Sequence, residues 1–406
     1  MNWKSIFKNV GKIFVAIISA VVLFYIFIIA SLTLAFNNVN GDIYSYVLLV
    51  LAILIEMIII GALWGFLRKK LFYVPLCVGL TVCVVACITL FGYQKYLDNI
   101  PTVGEGNNLL VSYAPYVEDS KAVTLEEKSQ LIIEENIPVM DGATALYPIY
   151  SSFAKAVYPK ELIDDIVTKN KNVTQIKEND YLKCKTTTEA YYNIVTGDAD
   201  IIFAALPSEE QKQFAKENGV ELVYTPIGKE AFVFFVNSKN PIDNISIEEI
   251  QKVYSGEITQ WEELGVKGFG DIKAFQRDKG SGSQSTLEKL MAGQSLMTPP
   301  KEDVIDGMGG IIKQTADYKN FKNAIGYSFR FYSTEMVKNN KIKLLRVNGV
   351  YPNLENIENG TYPIASYFYA VTRSDADENV LKLLEWITGE QGQKIIEMSG
   401  YTPLDK

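Results

Sequence analysis

A turn rich in glycine and serine carries the most specific chemistry in this sequence. It reads Arg-Asp-Lys-Gly-Ser-Gly-Ser from Arg277 to Ser283, between a predicted short strand and a predicted helix. Gly280 and Gly282 allow the backbone to approach a ligand closely, and Ser281 adds a hydroxyl donor. The Arg277 guanidinium can bind an oxyanion through two parallel hydrogen bonds. The residues alone leave an anion site and a flexible connector as open alternatives.

Two earlier junctions also place donors at the start of a predicted helix. The first begins at Asp141, passes a glycine and reaches Thr144 and Ala145, where we expect a helix to start. The second contains Thr187 and Thr188, the last two of three consecutive threonines. Unpaired N–H groups and a partial positive charge make a helix N-terminus suitable for an anion. Because such residues more often cap their own helix, simple capping stays the alternative at each junction.

The composition excludes several kinds of chemistry. The chain has 406 residues and contains no histidine, which removes histidine-dependent catalysis and histidine-ligated metal sites. Three of its four cysteines lie in one apolar run, which leaves Cys184 alone in the polar part. The carboxylates show no metal-ligand spacing. We therefore expect no catalytic residue, no metal and no cofactor.

Three apolar runs in the first hundred residues are long enough to cross a membrane. They span 13–36, 44–67 and 71–93, and each provides the roughly 20 residues that a hydrocarbon core requires. Basic residues precede the first run and separate the second from the third. This bias predicts a cytoplasmic N-terminus and an extracellular C-terminal domain. We expect an uncleaved three-helix transmembrane anchor over 1–95.

One acidic residue, Glu56, lies within the second apolar run. A carboxyl at that depth is costly and often functional. A protonated or helix-paired carboxyl in a small bundle is an equal alternative, and both stay open on the sequence alone.

The remaining residues have the pattern of a water-soluble α/β domain. The chain carries a net charge of −8 although its first hundred residues are basic, so the rest is acidic and unsuited to nucleic acid. Residues 96–134 form a predicted tether and leading segment, with a charged, helix-like stretch at 125–135. From residue 139 onward, strand-like segments alternate with amphipathic helix-like segments, as in α/β folds.

Several motifs resemble the phosphate-binding subunit family of phosphate ABC transporters, within the type II periplasmic-binding-protein superfamily. They are the three junctions above, a helix, Ser-Gly turn and Trp segment at 245–261, Ala-Ile-Gly-Tyr at 324–327 and Gly-Tyr-Thr-Pro-Leu at 400–404. Within the second of these, Ser246 and Glu249 form a predicted capping box, and Gly256 is the predicted helix stop.

This resemblance implies an α/β fold of two lobes that close on a ligand like a hinged clamp, preceded by the three transmembrane helices. Lobe one would comprise 135–228 and 363–406, and lobe two 229–362. Crossover strands between the lobes would lie at 225–236 and 363–371.

The ligand residues of the family carry over unevenly. Its Ala-Thr turn corresponds to the turn at Thr144, its serine-rich turn to Thr187 or Thr188, and its Arg-x-x-Gly-Ser-Gly-Thr motif to the turn after Arg277. The implied ligand-binding residues are Thr144, Ala145, Thr187, Thr188, Arg277, Ser281, Gly282 and Ser283.

One position departs from the family pattern. Ala205 stands where the family has an aspartate, which would accept the proton of mono- or dihydrogen phosphate and repel a proton-free anion such as sulfate. Asp141 or Glu189 could supply the missing acceptor. Otherwise the site has changed towards another small anionic ligand, or towards none.

The sequence thus predicts a membrane-anchored extracellular solute-binding protein, not an enzyme, that captures phosphate or a related oxyanion and delivers it to an ABC transporter. Separately encoded permease and ATPase subunits would be its partners, because three spans are too few for a typical permease and no ATPase motif is present. The alternative is a membrane-bound sensor or interaction module that uses the same clamp to detect a different small anion.

Overall fold

The computed structural model describes residues 3–37, 41–98, 102–103, 108–170, 173–176, 179–277, 279–298, 304–305, 318–319, 321–336 and 341–404. The chain divides into two units, residues 1–100 and residues 101–406. The described part of the first unit is helical apart from short turns.

Three long helices build the first unit: α1 Trp3–Asn37, α2 Gly41–Trp64 and α3 Lys70–Asp98. They contain apolar stretches of 23, 20 and 24 residues, so by length and composition each can cross a membrane, as predicted. Leu54 and Leu76 belong to a small buried cluster between α2 and α3.

Glu56 on α2 contacts α1. Its two carboxyl oxygens lie 3.0 and 2.9 Å from the hydroxyl oxygen of Ser19. A polar contact of this kind joins helices in an apolar environment, which supports the helix-paired alternative for this carboxyl.

The second unit contains ten helices and sixteen strands within its described residues. The helices are α4 Asn108–Val111, α5 Tyr147–Val157, α6 Lys160–Ile163, α7 Thr187–Thr196, α8 Glu209–Glu217, α9 Ile247–Ser255, α10 Gly282–Leu290, α11 Leu354–Glu358, α12 Glu378–Thr388 and α13 Glu390–Met398. The strands are β1 Thr102–Val103, β2 Met140–Gly142, β3 Val167–Asn170, β4 Val173–Ile176, β5 Ile201–Ala204, β6 Leu222–Asn237, β7 Asn244–Ile245, β8 Lys273–Ala274, β9 Gln276–Arg277, β10 Val304–Ile305, β11 Tyr318–Lys319, β12 Ala324–Phe329, β13 Ile342–Leu344, β14 Arg346–Val347, β15 Ala365–Arg373 and β16 Thr402–Pro403.

Strand β6 is the central strand of an eight-stranded mixed sheet. The sheet order is β2-β5-β15-β6-β12-β8, and β13 and β16 also pair with β6. The first part of β6 pairs with β15 and its last part with β12, so this one strand runs between two groups of neighbours. The predicted crossover segments fall mainly on β6 and β15. The predicted α/β class is confirmed, while the boundaries assigned to the two lobes stay a prediction.

Two large apolar clusters lie along this sheet. One contains Tyr150 and Phe203, whose rings stack with centroids 5.1 Å apart. The other contains Phe232, Phe234 and Trp261. Each buried side chain of this size stabilises the fold by about 1.5–3 kcal/mol, so both clusters contribute to holding the sheet together.

Local capping signals fix the helix ends. The predicted capping box is confirmed: the Glu249 N–H donates to the Ser246 hydroxyl, and the Ser246 N–H donates to the Glu249 carboxylate. Gly256 ends this helix in the left-handed conformation, with φ of 84°.

The leading segment differs from the prediction. Residues 125–135 contain no helix. Their backbone bonds to other elements instead: the Gln130 N–H donates to Gln391 Oε1 at 2.8 Å, and the Ile133 N–H donates to the Val157 carbonyl at 2.9 Å. These distant partners override the local helix preference. Within the predicted tether and leading segment at 96–134, residues 98–108 lie mostly outside the described residues.

Candidate ligand-binding cleft

One cleft collects residues from all three junctions. Ala143 and Ala145 from the first, Thr187 from the second and Gly282 from the third line it together with Ala205. The space amounts to about 390 Å³, a figure that includes the open solvent at its mouth. Parts of the chain that are far apart in sequence therefore present helix starts to a single space.

The first junction follows β2, which pairs in parallel with β5. A Cβ atom on Gly142 would lie 2.6 Å from the Phe203 carbonyl oxygen, so only glycine fits this close approach. A 3-10 turn then runs from Thr144 to Leu146, and its N-cap residue, Ala143, makes no side-chain cap. Thr144 is the first residue of this turn, and its hydroxyl does not cap it. The capping alternative at this junction is therefore wrong.

At the second junction, capping falls to the threonine before the predicted pair. The Thr186 hydroxyl accepts the Glu189 N–H at 3.2 Å, and the Glu189 carboxylate accepts the Thr186 N–H at 3.4 Å. Because Thr186 performs this task, the cap does not require the hydroxyls of Thr187 and Thr188.

At the third junction, the serine that precedes α10 is its cap. The Ser281 hydroxyl accepts the Gln284 N–H at 3.2 Å. Gln284 Oε1 in turn accepts the Arg277 N–H at 3.0 Å and also bonds to the Tyr327 hydroxyl, so the strand carrying Arg277 is fixed to the helix start. Ser283 lies in the first turn of α10 and is half-buried, and Asp278 lies outside the described residues.

Five of the eight predicted ligand-binding residues do not line the cleft directly: Thr144, Thr188, Arg277, Ser281 and Ser283. Arg277 is the charged residue among them. Its Nε atom is buried and has no hydrogen-bond partner among the described residues. Burying a guanidinium N–H without an acceptor is costly, and an anion that accepted from this Nε would remove that cost. The Nε atom of Arg330 is likewise buried without a hydrogen-bond partner in the described part of the chain.

The third junction contacts the second. A Cβ atom on Gly282 would lie 3.1 Å from Thr187 Oγ1, and one on Gly280 would lie 2.9 Å from Thr188 Oγ1. Gln211 Nε2 donates to the Gly280 carbonyl at 3.1 Å. The two glycines are therefore needed for this approach, and Thr144, Thr187 and Ser281 all belong to turns around the same cleft.

The two predicted acceptor carboxylates are occupied elsewhere. Asp141 is fully buried and accepts the N–H of Gly142 at 2.8 Å, the N–H of Lys185 at 3.0 Å and the Asn193 amide at 2.7 Å. Burial raises the pKa of Asp141, and these hydrogen bonds partly oppose the shift. Glu189 belongs to the capping box. These contacts weigh against either residue as the acceptor of a ligand proton. At position 205 the cleft is lined by the methyl group of Ala205.

Sequence reasoning missed an acidic residue that does line the cleft. Glu230 lies on β6, is 5% exposed and is part of the cleft wall. Burial raises the pKa of Glu230 to about 7, while nearby Arg330 and two backbone hydrogen bonds oppose the shift. A single acid in the apolar stretch from Ile227 to Val236 was the signal that could have found it.

The structure offers no alternative centre for metal or thiol chemistry within its described residues. No group of three or more His, Cys, Asp or Glu side chains could hold a metal ion there. Cys184 is buried, and burial raises its pKa to about 12, so it stays a thiol near neutral pH.

A mixed α/β unit whose helix starts meet at one cleft is the architecture of a solute-binding clamp. Residues 136–391 match the family model described as the PBP superfamily domain, and the chain belongs to that superfamily. The resemblance to the phosphate-binding subunit family is confirmed by the named relatives that follow.

Two relatives carry the name phosphate-binding protein PstS. The protein from Borreliella burgdorferi is 26% identical over 274 residues, which cover 66% of this chain and 90% of the relative. The protein from Bacillus subtilis is 27% identical over 214 residues, which cover 52% of this chain and 68% of that relative. A crystal structure of a protein with bound phosphate from Clostridium perfringens has a TM-score of 0.50 and 22% identity. It covers 66% of this chain and 100% of that chain, and it shows a shared fold.

Proposed function

We propose that this protein is a membrane-anchored phosphate-binding protein that holds phosphate, or a closely related oxyanion, in the cleft and delivers it to an ABC transporter. The observation that carries the proposal is the convergence of three helix-start junctions on one cleft. The names of the two relatives support phosphate as the ligand.

The proposed ligand contacts come from both sides of the cleft. Backbone N–H groups at Ala145 and Gly282 and the hydroxyls of Thr144 and Thr187 would replace water around the anion, since free helix N-termini favour negative charge. Thr188, Ser281 and Ser283 would lie in the turns that surround the anion.

Arg277 would supply a full positive charge. Its buried, unpartnered Nε supports this role, because an oxyanion would satisfy the donor that the described protein atoms leave unpaired. The overall acidic charge of the chain makes such local donors necessary.

The first three helices would anchor the protein, with the N-terminus in the cytoplasm and the binding unit outside. The Lys/Arg distribution around the spans supports this orientation. A permease and an ATPase encoded separately would then move the anion across the membrane.

The test is calorimetric titration of the full chain in detergent with phosphate. We expect Arg277→Ala to weaken phosphate binding by about 2–5 kcal/mol, because a charged hydrogen-bonded contact is lost in a buried site. The matched control is Arg346→Ala, which removes an exposed arginine of β14 and should leave the affinity unchanged. Equal affinities of Arg277→Ala and the unmodified chain would remove Arg277 from the site.

A further inference from the structure

We propose that Glu230 is a specificity-determining residue of the cleft. Its carboxylate would accept a hydrogen bond from an oxyanion that retains a proton, such as phosphate, and would disfavour a proton-free anion such as sulfate. This inference rests on the proposed function, because it refines which anion the same cleft selects.

The position of Glu230 is the first observation. It is the one acidic side chain in the described part of the cleft wall, where Ala145, Thr187 and Gly282 are its companions. A carboxylate at this position lies with the donors that an anion would use. An anion bound by these donors would share the cleft with this carboxylate, and like charges repel.

The hydrogen bonds of Glu230 leave acceptor positions unused on its carboxylate. Oε1 accepts the Ala231 N–H at 2.9 Å, and Oε2 accepts the Phe331 N–H at 3.3 Å. Each carboxylate oxygen can accept two hydrogen bonds, so each retains one position after these contacts. The two backbone donors also hold the carboxyl group in place before a ligand arrives.

The groups that face Glu230 from neighbouring elements do not neutralise it directly. Arg330, which follows β12, lowers the pKa of Glu230, yet its Nη2 donates to the Gly400 carbonyl at 3.0 Å. The Tyr401 hydroxyl donates to the Ala145 carbonyl, and burial holds the pKa of Tyr401 well above its usual range. Tyr367 of β15 lines the same cleft. Of these groups, Glu230 is thus the one whose charge changes near pH 7.

The two forms of this carboxyl would treat the two anions differently. The ionised form accepts a hydrogen bond from a phosphate P–OH group. Sulfate has no proton to donate, so the ionised form makes no hydrogen bond with it and repels it. The protonated form donates a hydrogen bond to either anion. Selection against sulfate should therefore be strong above pH 7 and weaker below it.

The first experiment compares Glu230→Gln with the unmodified full chain by titration with phosphate and with sulfate at about pH 8. We expect the preference for phosphate over sulfate to fall by about ten- to a hundredfold, the equivalent of one charged hydrogen bond. Glu355→Gln, an exposed glutamate on α11, is the matched control and should keep the preference.

A second measurement needs no variant and so does not depend on the folding of Glu230→Gln. Sulfate keeps one charge state over the range, so its affinity for the unmodified chain is measured from about pH 8 to about pH 5.5. We expect it to tighten by about tenfold or more as Glu230 takes up a proton near its pKa of about 7.

The outcomes separate the two proposals. An unmodified chain that binds no phosphate overturns the proposed function. An unmodified chain that binds phosphate, with the same preference in Glu230→Gln or with sulfate affinity independent of pH, overturns only the role of Glu230.

Discussion

Asp141 and Glu230 are both buried carboxyls near the cleft, yet their surroundings differ. Asp141 accepts three hydrogen bonds, from two backbone N–H groups and the Asn193 amide, and does not line the cleft. Glu230 accepts two backbone hydrogen bonds and lines the cleft. Burial raises the pKa of both. Burial and a shifted pKa therefore do not identify a ligand-facing acid, and access to the cleft is the difference between these two residues.

The largest expected effect concerns the structural role of Asp141. Asp141→Ala removes the acceptor of three hydrogen bonds, one buried and two half-buried, so we expect the free energy of unfolding to fall by about 3–5 kcal/mol. Denaturant unfolding of the full chain measures the change, with the exposed Asp180→Ala as control. A loss below about 1 kcal/mol would break the comparison, because Asp141 would then not be a structural acid.

The second effect concerns the titration of Glu230. Its pKa in the folded protein, about 7, exceeds the ordinary value of 4.5, so the folded state binds the proton more tightly. Stability from this group is therefore present below about pH 4.5 and is lost as the pH rises through about 7, by about 3 kcal/mol in all. Glu230→Gln should remove that decline from unfolding curves recorded across the range, whereas Glu355→Gln should retain it. An identical decline in Glu230→Gln would assign the titration to another group.

The smallest effect extends the same contrast to two neighbouring hydroxyls. Thr186→Ala removes a helix cap and should lower stability by about 1 kcal/mol. Thr187→Ala keeps the cap and should instead weaken phosphate binding by about 1 kcal/mol, through one lost hydrogen bond. Thermal unfolding and calorimetry of both variants distinguish the roles. Binding that weakens more in Thr186→Ala than in Thr187→Ala would contradict the assignment.

Local signals made the three junctions predictable. The glycines at 142, 280 and 282 and the hydroxyl residues beside them mark turns and helix starts, and helix starts depend mainly on nearby residues. For the same reason the capping box at Ser246 was found. The residues that these glycines approach, such as Phe203 and Thr187, lie far along the chain. Which of three adjacent threonines would cap α7 depends on side-chain geometry that the residue types do not encode.

The features that were missed depend on partners distant in sequence. Glu230 lies in an apolar strand, and only the assembled sheet turns its side chain towards the cleft wall. The stretch 125–135 has helix-like charge spacing, but Gln391 and Val157 supply bonds to its backbone from far along the chain. Tertiary contacts of this kind override local preference.

The leading segment packs on the core of the second unit, and this packing determines where a truncated fragment can begin. Leu110 and Tyr113 are buried in the same core as α5 and α13, although both precede residue 136, where the family match begins. A fragment that starts at the family boundary would expose that apolar surface to water and would be prone to aggregate. A soluble version of this protein should therefore retain the chain from residue 108 onward.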